Sequence, residues 1–151
     1  MPIHRGFTLP ELVIVLVLTG ILAVVAIPRM SDPGGFAARG ARDYVASGLR
    51  YAQKSAVAMR RNVCVNVGAS ALAVTYATAG GSGQPCAPGN TLPNPATGQP
   101  FASTNYEQGA SVSTPTSITF DALGRPSSAA SIGVAGHPTP ISVEAESGYV
   151  H

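Results

Sequence analysis

The sequence contains no tryptophan, and aromatic residues fill only 6% of its 151 positions. Aromatic side chains carry the largest burial per residue, so a core built outside a membrane is small and aliphatic here. Charge is also scarce, at 11%, where an ordinary globular protein has roughly 25%. Beside 45% apolar residues, that scarcity excludes a charge-rich disordered chain and points to a membrane or assembly context. The three histidines, His4, His137 and His151, are scattered. They build no catalytic group, and His137 beside Pro138 reads as a solvated loop residue. No G-x-S-x-G elbow occurs, and Gly80-Gly81-Ser82-Gly83 lacks the Lys-Ser/Thr pair of a phosphate-binding loop. No enzyme activity is indicated, and neither a cofactor nor a metal is expected. What the chain has in quantity is Gly and Pro, 17 and 13 residues, so long stretches are turn and loop. The length allows one soluble domain and one appended segment.

The net charge is only +2, but the charges are sorted. Residues 29–61 hold seven bases (Arg29, Arg39, Arg42, Arg50, Lys54, Arg60, Arg61) against two acids, Asp32 and Asp43. Residues 62–151 hold one base, Arg125, against four acids, Glu107, Asp121, Glu144 and Glu146. A global basic pull on nucleic acid is absent, and any such pull is local.

The strongest signal is at the start. Residues 1–6 form a short polar leader with His4 and Arg5. Phe7–Ile27 then runs apolar, interrupted by Thr8, Pro10, Glu11, Thr19 and Gly20. As a helix this run spans roughly 31 Å, about one bilayer core. Bases lie on both sides of it, so its orientation is not set by a simple Lys/Arg count. No A-x-A cleavage site follows the run, as a secretory signal would require. A plain anchor accounts for everything except Glu11. An unpaired carboxylate in a lipid-facing helix costs about 2.5–3.5 kcal/mol or more, so Glu11 implies that the helix leaves the lipid or meets a cationic partner.

Gly6-Phe7-Thr8-Leu9-Pro10-Glu11-Leu12, followed by the apolar run and Pro28, closely resembles the class III signal of type IV pilins and type II secretion pseudopilins. The resemblance implies an α+β pilin fold, with the apolar helix retained in the mature chain. It also implies cleavage between Gly6 and Phe7 by prepilin peptidase and N-methylation of Phe7. The helix would hold the subunit in the inner membrane, head in the periplasm, and later pack into the core of a filament. The implied partners are the peptidase, the lipid bilayer, major and minor pilins or pseudopilins, and an inner-membrane assembly platform. In pilins the glutamate at the fifth mature position, here Glu11, is thought to pair with the terminal amine of a neighbour. Removing one member of a buried ion pair is strongly disruptive, so such a pair fixes register more than it adds stability. Pro10 departs from the usual aliphatic residue, but a first-turn Pro forfeits no intrahelical donor.

Four stretches follow: the leader 1–6, the rod 7–28, an amphipathic helix 29–61 and a β-rich head 62–151. Pro28 and Pro33-Gly34-Gly35 are expected to kink or end helix. Val45, Leu49, Ala52, Ala56 and Met59 then recur at spacings of three and four, one apolar stripe. Arg42, Arg50, Lys54 and Arg61 lie off it, as a solvated face or as contacts to anionic headgroups or acidic neighbouring subunits. From Val63 the period changes to two. Val63–Val67 and Leu72–Tyr76 read as strands about a Gly68-Ala69-Ser70 turn. Ile118–Phe120, Ile132–Val134 and Ile141–Val143 are three more, with Asp121–Pro126 a turn between two of them. Residues 79–117 hold six Gly and six Pro, with Leu92 and Val112 almost the only aliphatics. They read as a long irregular excursion without a core of its own, either variable filler or a recognition loop.

Cys64 and Cys86 are the only cysteines. In a head outside the cytoplasm they most economically form one disulfide. Closing that loop is worth roughly 3 kcal/mol in the chain-entropy model. Two buried thiols are the alternative, and two Cys without a nearby His cannot fill a tetrahedral metal shell. The segment Arg60–Val67 and the turn Phe120–Pro126 resemble the GspH/FimT group of minor pilins and pseudopilins. Ala26-Ile27-Pro28-Arg29-Met30 and the same turn also resemble minor pilins of the mannose-sensitive haemagglutinin pilus. These resemblances imply a subunit that primes or caps a filament. Some FimT-like relatives instead bind DNA through a C-terminal Gly-Arg-x-Arg segment. Here Tyr149 and His151 stand where those arginines would be. Tyr149 could stack on a base, but phosphate neutralisation drives most nonspecific affinity.

Overall fold

A computed structural model describes residues 8–30, 33–101, 106 and 109–151, with the backbone alone at 24–30 and 33. The chain divides into two compact units, residues 1–33 and 34–151.

The first unit is built on α1, Leu9–Met30. It opens with the Leu12 N–H donating to Thr8 O at 3.2 Å, and Pro10 sits in the first turn, where its missing N–H costs nothing. Pro28 does not stop this helix, which continues to Met30. Proline's fixed φ is itself helical, so the damage is one lost bond and a crowded carbonyl. Every described side chain of α1, from Leu9 to Ala23, is exposed.

The second unit begins within the first turn of α2, Pro33–Met59. Pro33-Gly34-Gly35, read as punctuation, instead makes its first turn, because Pro is pre-set for a first helical position. The apolar stripe is real: Val45, Leu49, Ala52 and Ala56 have no exposed surface, and Met59 packs against the same core. Opposite lies an antiparallel sheet of β1 (Val63–Val67), β2 (Leu72–Ala77), β3 (Cys86–Thr91) and β4 (Thr116–Phe120). Its spatial order is β3-β2-β1-β4. Alternation sends Val63, Val65, Val67, Leu72, Val74, Ile118 and Phe120 inward. Full burial of each contributes about 1.5–3 kcal/mol. A second sheet pairs β5 (Ala130–Ile132) with β6 (Ile141–Val143), and Val143 bridges onward to Val150. Gly133 and Val134 leave the strand read there, and Val134 bridges Val112 instead.

The excursion 79–117 is less irregular than its composition implies. It contains β3 and runs into β4, and it sends Leu92, Phe101, Tyr106 and Val112 into the common core. Residues 92–101 form a hairpin against β2: Leu92 N donates to Val74 O, Val74 N to Phe101 O, and Phe101 N to Leu92 O. Asn94 and Gly98 close its tip, with a 2.7 Å bond from Gly98 N to Asn94 O. Phe101 then enters a notch in α2. Its ring is stacked on Tyr44 at 5.6 Å and on Tyr51 at 6.1 Å, two turns apart on the helix. Gly48 makes the notch. A Cβ there would fall 2.5 Å from Leu72 Cδ2 and 3.2 Å from the Phe101 ring.

Candidate functional site

Gly6 and Phe7, the leader-cleavage and methylation positions, lie outside the described residues. Glu11 is exposed in the first turn of α1. A carboxylate is favourable there, near the positive end of the helix dipole. It is the single charge between Arg5 and Arg29. Around it Leu9, Leu12, Val13, Ile14, Leu16 and Val17 are all about half or more exposed. A helix apolar on every side has no face meant for water and needs cover from outside itself. Thr19 keeps its hydroxyl bonded within the helix, to Val15 O at 2.8 Å. Among the described residues no helix is long and apolar enough to cross a membrane, and the described side chains of α1 stop at Ala23.

The basic row of α2 is largely committed within the head. Arg42 Nε donates to Thr139 O, and Arg50 Nε and Nη2 both donate to Val150 O, at 3.2 and 3.0 Å. Arg61 Nη1 donates to Thr78 O at 2.7 Å. Gln53 spends both amide protons on carbonyls, Gly124 O at 3.1 Å and Ser147 O at 2.8 Å. These side chains therefore fasten the second sheet and two turns to α2, while Arg50 and Lys54 stay exposed, so the row read as a solvated face also makes contacts within the head. A carbonyl bonded to a charged donor is worth about 1.5–3 kcal/mol.

Two turns rest on this row. In the first, Asp121 Oδ1 accepts from the N–H groups of Leu123 and Arg125, and Oδ2 accepts the Arg125 guanidinium at 3.1 and 3.0 Å. Partial burial pushes the Asp121 carboxyl up, but the two backbone donors and the guanidinium outweigh it and hold the carboxyl below its ordinary value. Gly124 turns the chain at φ 80°, leaving Leu123 70% exposed. In the second, Glu144–Ser147 joins β6 to the last residues, with Gly148 N donating to Glu144 O. The two turns touch: a Cβ on Gly148 would fall 2.5 Å from Gly124 O.

Tyr149 and His151 follow. Their rings lie together, centroids 5.3 Å apart, while Val150 between them is buried. Arg50 reaches this segment from α2 and donates to Val150 O.

α2 ends in a capping arrangement with Arg61 N donating to Ala56 O and Arg60 N to Val57 O. That pattern places Arg60 in the left-handed region, φ 52°, where glycine is the usual residue and another costs about 1–2 kcal/mol. Arg60, Val57, Ala122, Leu123, Gly81 and Ser82 line an open groove of about 750 Å³. Sequence reasoning did not single out this groove. The available signal was an arginine directly after the last turn of an apolar stripe, where a glycine would cost less.

Cys64 and Cys86 are joined, with Cα atoms 6.1 Å apart. The bond ties β1 to the edge strand β3, and Thr119 Oγ1 lies 3.4 Å from Cys64 Sγ. Buried Asn62 assists by donating Nδ2–H to Gln84 O at 2.8 Å, two residues before Cys86. Among the described residues no group of His, Cys, Asp and Glu could hold a metal ion.

Comparison with known proteins agrees with this architecture. The prokaryotic N-terminal methylation motif matches residues 1–27. The family described as type II transport protein GspH matches residues 41–147, from the middle of α2 through the second turn. No curated protein and no solved structure matches the chain closely enough to count as a relative. With a methylation motif on an apolar rod and a head matched over most of its length, the chain belongs to the GspH family of pseudopilin and minor pilin subunits.

Proposed function

We propose that this chain is a low-copy subunit that primes or caps a type IV pilus or a type II secretion pseudopilus. Prepilin peptidase removes residues 1–6 between Gly6 and Phe7, and Phe7 is N-methylated. Residues 7–28 then anchor the subunit in the inner membrane with its head in the periplasm. The assembly platform moves the rod from lipid into a bundle of like rods. The role is structural, not catalytic. One observation carries the reading: α1 is apolar and exposed on all its described sides, with a lone carboxylate, Glu11, in its first turn. Such a helix needs other helices or lipid around it, and a lone acid needs a cation at a fixed height.

Replacing Glu11 by Ala, or blocking cleavage at Gly6, is expected to cut the number of surface filaments by about ten-fold or more, the usual consequence of removing one partner of a buried ion pair. Filaments unchanged in number and length would refute the assembly role.

The competing reading is a subunit that captures DNA through the Tyr149–His151 ring pair. Stacking is available there, but Tyr149 and His151 stand where the arginines of the DNA-binding segment would be, and phosphate neutralisation supplies most nonspecific affinity. Tight, salt-sensitive retardation of DNA by the full chain in detergent would favour this second role.

A further inference from the structure

We propose that the open face of α2 docks the head on an anionic phospholipid surface. The inference makes lipid a partner of the head as well as of the rod, and it rests on the anchored subunit proposed above.

From Phe36 to Ala58 the exposed residues of α2 share one side of the helix. At 3.6 residues per turn their positions fall within an arc of about 100°, opposite the stripe that the sheet covers. The start of this arc is open: a Cβ on Gly40 would meet nothing within 4 Å. The arc is also basic. Arg39, Arg50 and Lys54 are exposed on it against one acid, Asp43. Arg39 and Lys54 have no hydrogen bond or ion pair among the described residues. Arg50 gives two N–H groups to Val150 O and remains exposed with its charge. Asp43 lies 3.9 Å from the Arg42 guanidinium. Two apolar side chains bracket the bases, Phe36 at 60% exposure and Val57 at 49%, about 31 Å apart along the helix. Bases between exposed apolar anchors are the composition of a helix that lies in a headgroup layer.

Charge favours lipid over another copy of the head. Among the head's described acids, Asp121 is paired with Arg125 and Glu144 accepts from Ser147 Oγ. That leaves Glu146 and Asp43 to answer the bases of a neighbour. A phospholipid surface carries anions throughout. It is also close at hand. Phe36 stands six residues beyond Met30, the last residue of α1, at most about 22 Å of chain. The membrane that holds the rod is therefore presented to α2 at high effective concentration.

The chain has no tryptophan, so one substitution installs one indole. Full-length Phe36→Trp, Ala58→Trp and Asn66→Trp are each reconstituted into vesicles with nitroxide-labelled headgroups. The vesicles are phosphatidylcholine, alone or with an equal part of phosphatidylglycerol. Asn66 is exposed between the buried Val65 and Val67 of β1, on the side of the sheet away from α2. The label should quench Phe36→Trp and Ala58→Trp about two-fold in the anionic vesicles, and far less in phosphatidylcholine alone or at high salt. Ala58→Trp is the decisive position. It lies about 33 Å along the helix from Phe36, so a short tether alone does not bring it to the surface. Arg39→Glu combined with Lys54→Glu should remove its quenching and leave the head's thermal midpoint in place, because both side chains are exposed and unpaired. Quenching at Phe36→Trp alone, quenching indifferent to phosphatidylglycerol, or equal quenching at Asn66→Trp would overturn the proposal. A chain that sediments with vesicles through a high-salt wash yet shows no quenching loses the docking face and keeps the anchor. A chain washed off the vesicles loses both.

Discussion

The two helices of this chain are built to opposite rules. α1 is apolar around its whole described circumference and holds one charge, Glu11, before Arg29 near its end. α2 is divided into an apolar stripe that disappears into the head and a polar row that fastens turns and a second sheet. α2 finds the cover for its apolar stripe inside the chain, and much of its polar row is explained by contacts already present. α1 has no such explanation within its own unit. A helix whose amphipathicity is complete belongs to a domain, and one with none belongs to an environment.

Substitutions at matched positions break or sharpen this contrast. The largest effect is expected at the stripe. Leu49→Ala should lower the head's stability by about 2–5 kcal/mol, whereas Leu16→Ala on α1 should shift it by less than about 0.5 kcal/mol. Thermal unfolding of the full chain, followed by tyrosine fluorescence, reads both. Equal losses would erase the distinction. A smaller effect is expected at two glycines. Gly48→Ala places a methyl against Leu72 and Phe101 and should destabilise by about 1–3 kcal/mol. Gly20→Ala meets nothing within 4 Å and should strengthen its helix by up to about 1 kcal/mol. Circular dichroism after mild heating separates the two signs.

The smallest effect concerns Tyr106, the ring that follows the hairpin. Burial, and then the neighbouring Tyr44, push its phenol up to about 12 from an ordinary 10.0. Its neutral O–H donates to Gly68 O at 3.1 Å. A raised folded value means that this contribution is complete below pH 10 and is lost as pH rises through about 12. An ultraviolet titration should show one phenolate forming near pH 12 in the native chain, absent in Tyr106→Phe and returning to about 10 in urea.

The sequence was most legible where one rule acted alone. The stripe on α2, the alternation of β1 and β2, and the Asp121–Pro126 turn each follow from local chemistry and appear as read. α1 ends and α2 starts close to Pro28 and Pro33, as read. Yet α1 runs two residues past Pro28 and α2 starts at Pro33 itself, because a proline's cost depends on where it stands in a helix. The excursion misled most. Pro93, Pro95 and Pro100 hide the hairpin of residues 92–101, since prolines are admitted at a strand edge but erase its pattern. Gly48 was unreadable for the same reason: a helical glycine looks like a weakness until the ring that fills its place is known.

That notch has a consequence for how the head can diversify. Leu92 and Phe101 anchor both legs of the hairpin in the core, so whatever joins them hangs free at Asn94–Gly98. Length and chemistry can change at that tip without the change reaching the domain beneath. It is the natural place for lineages to vary what they display, and a site at which an epitope can be grafted without rebuilding the fold.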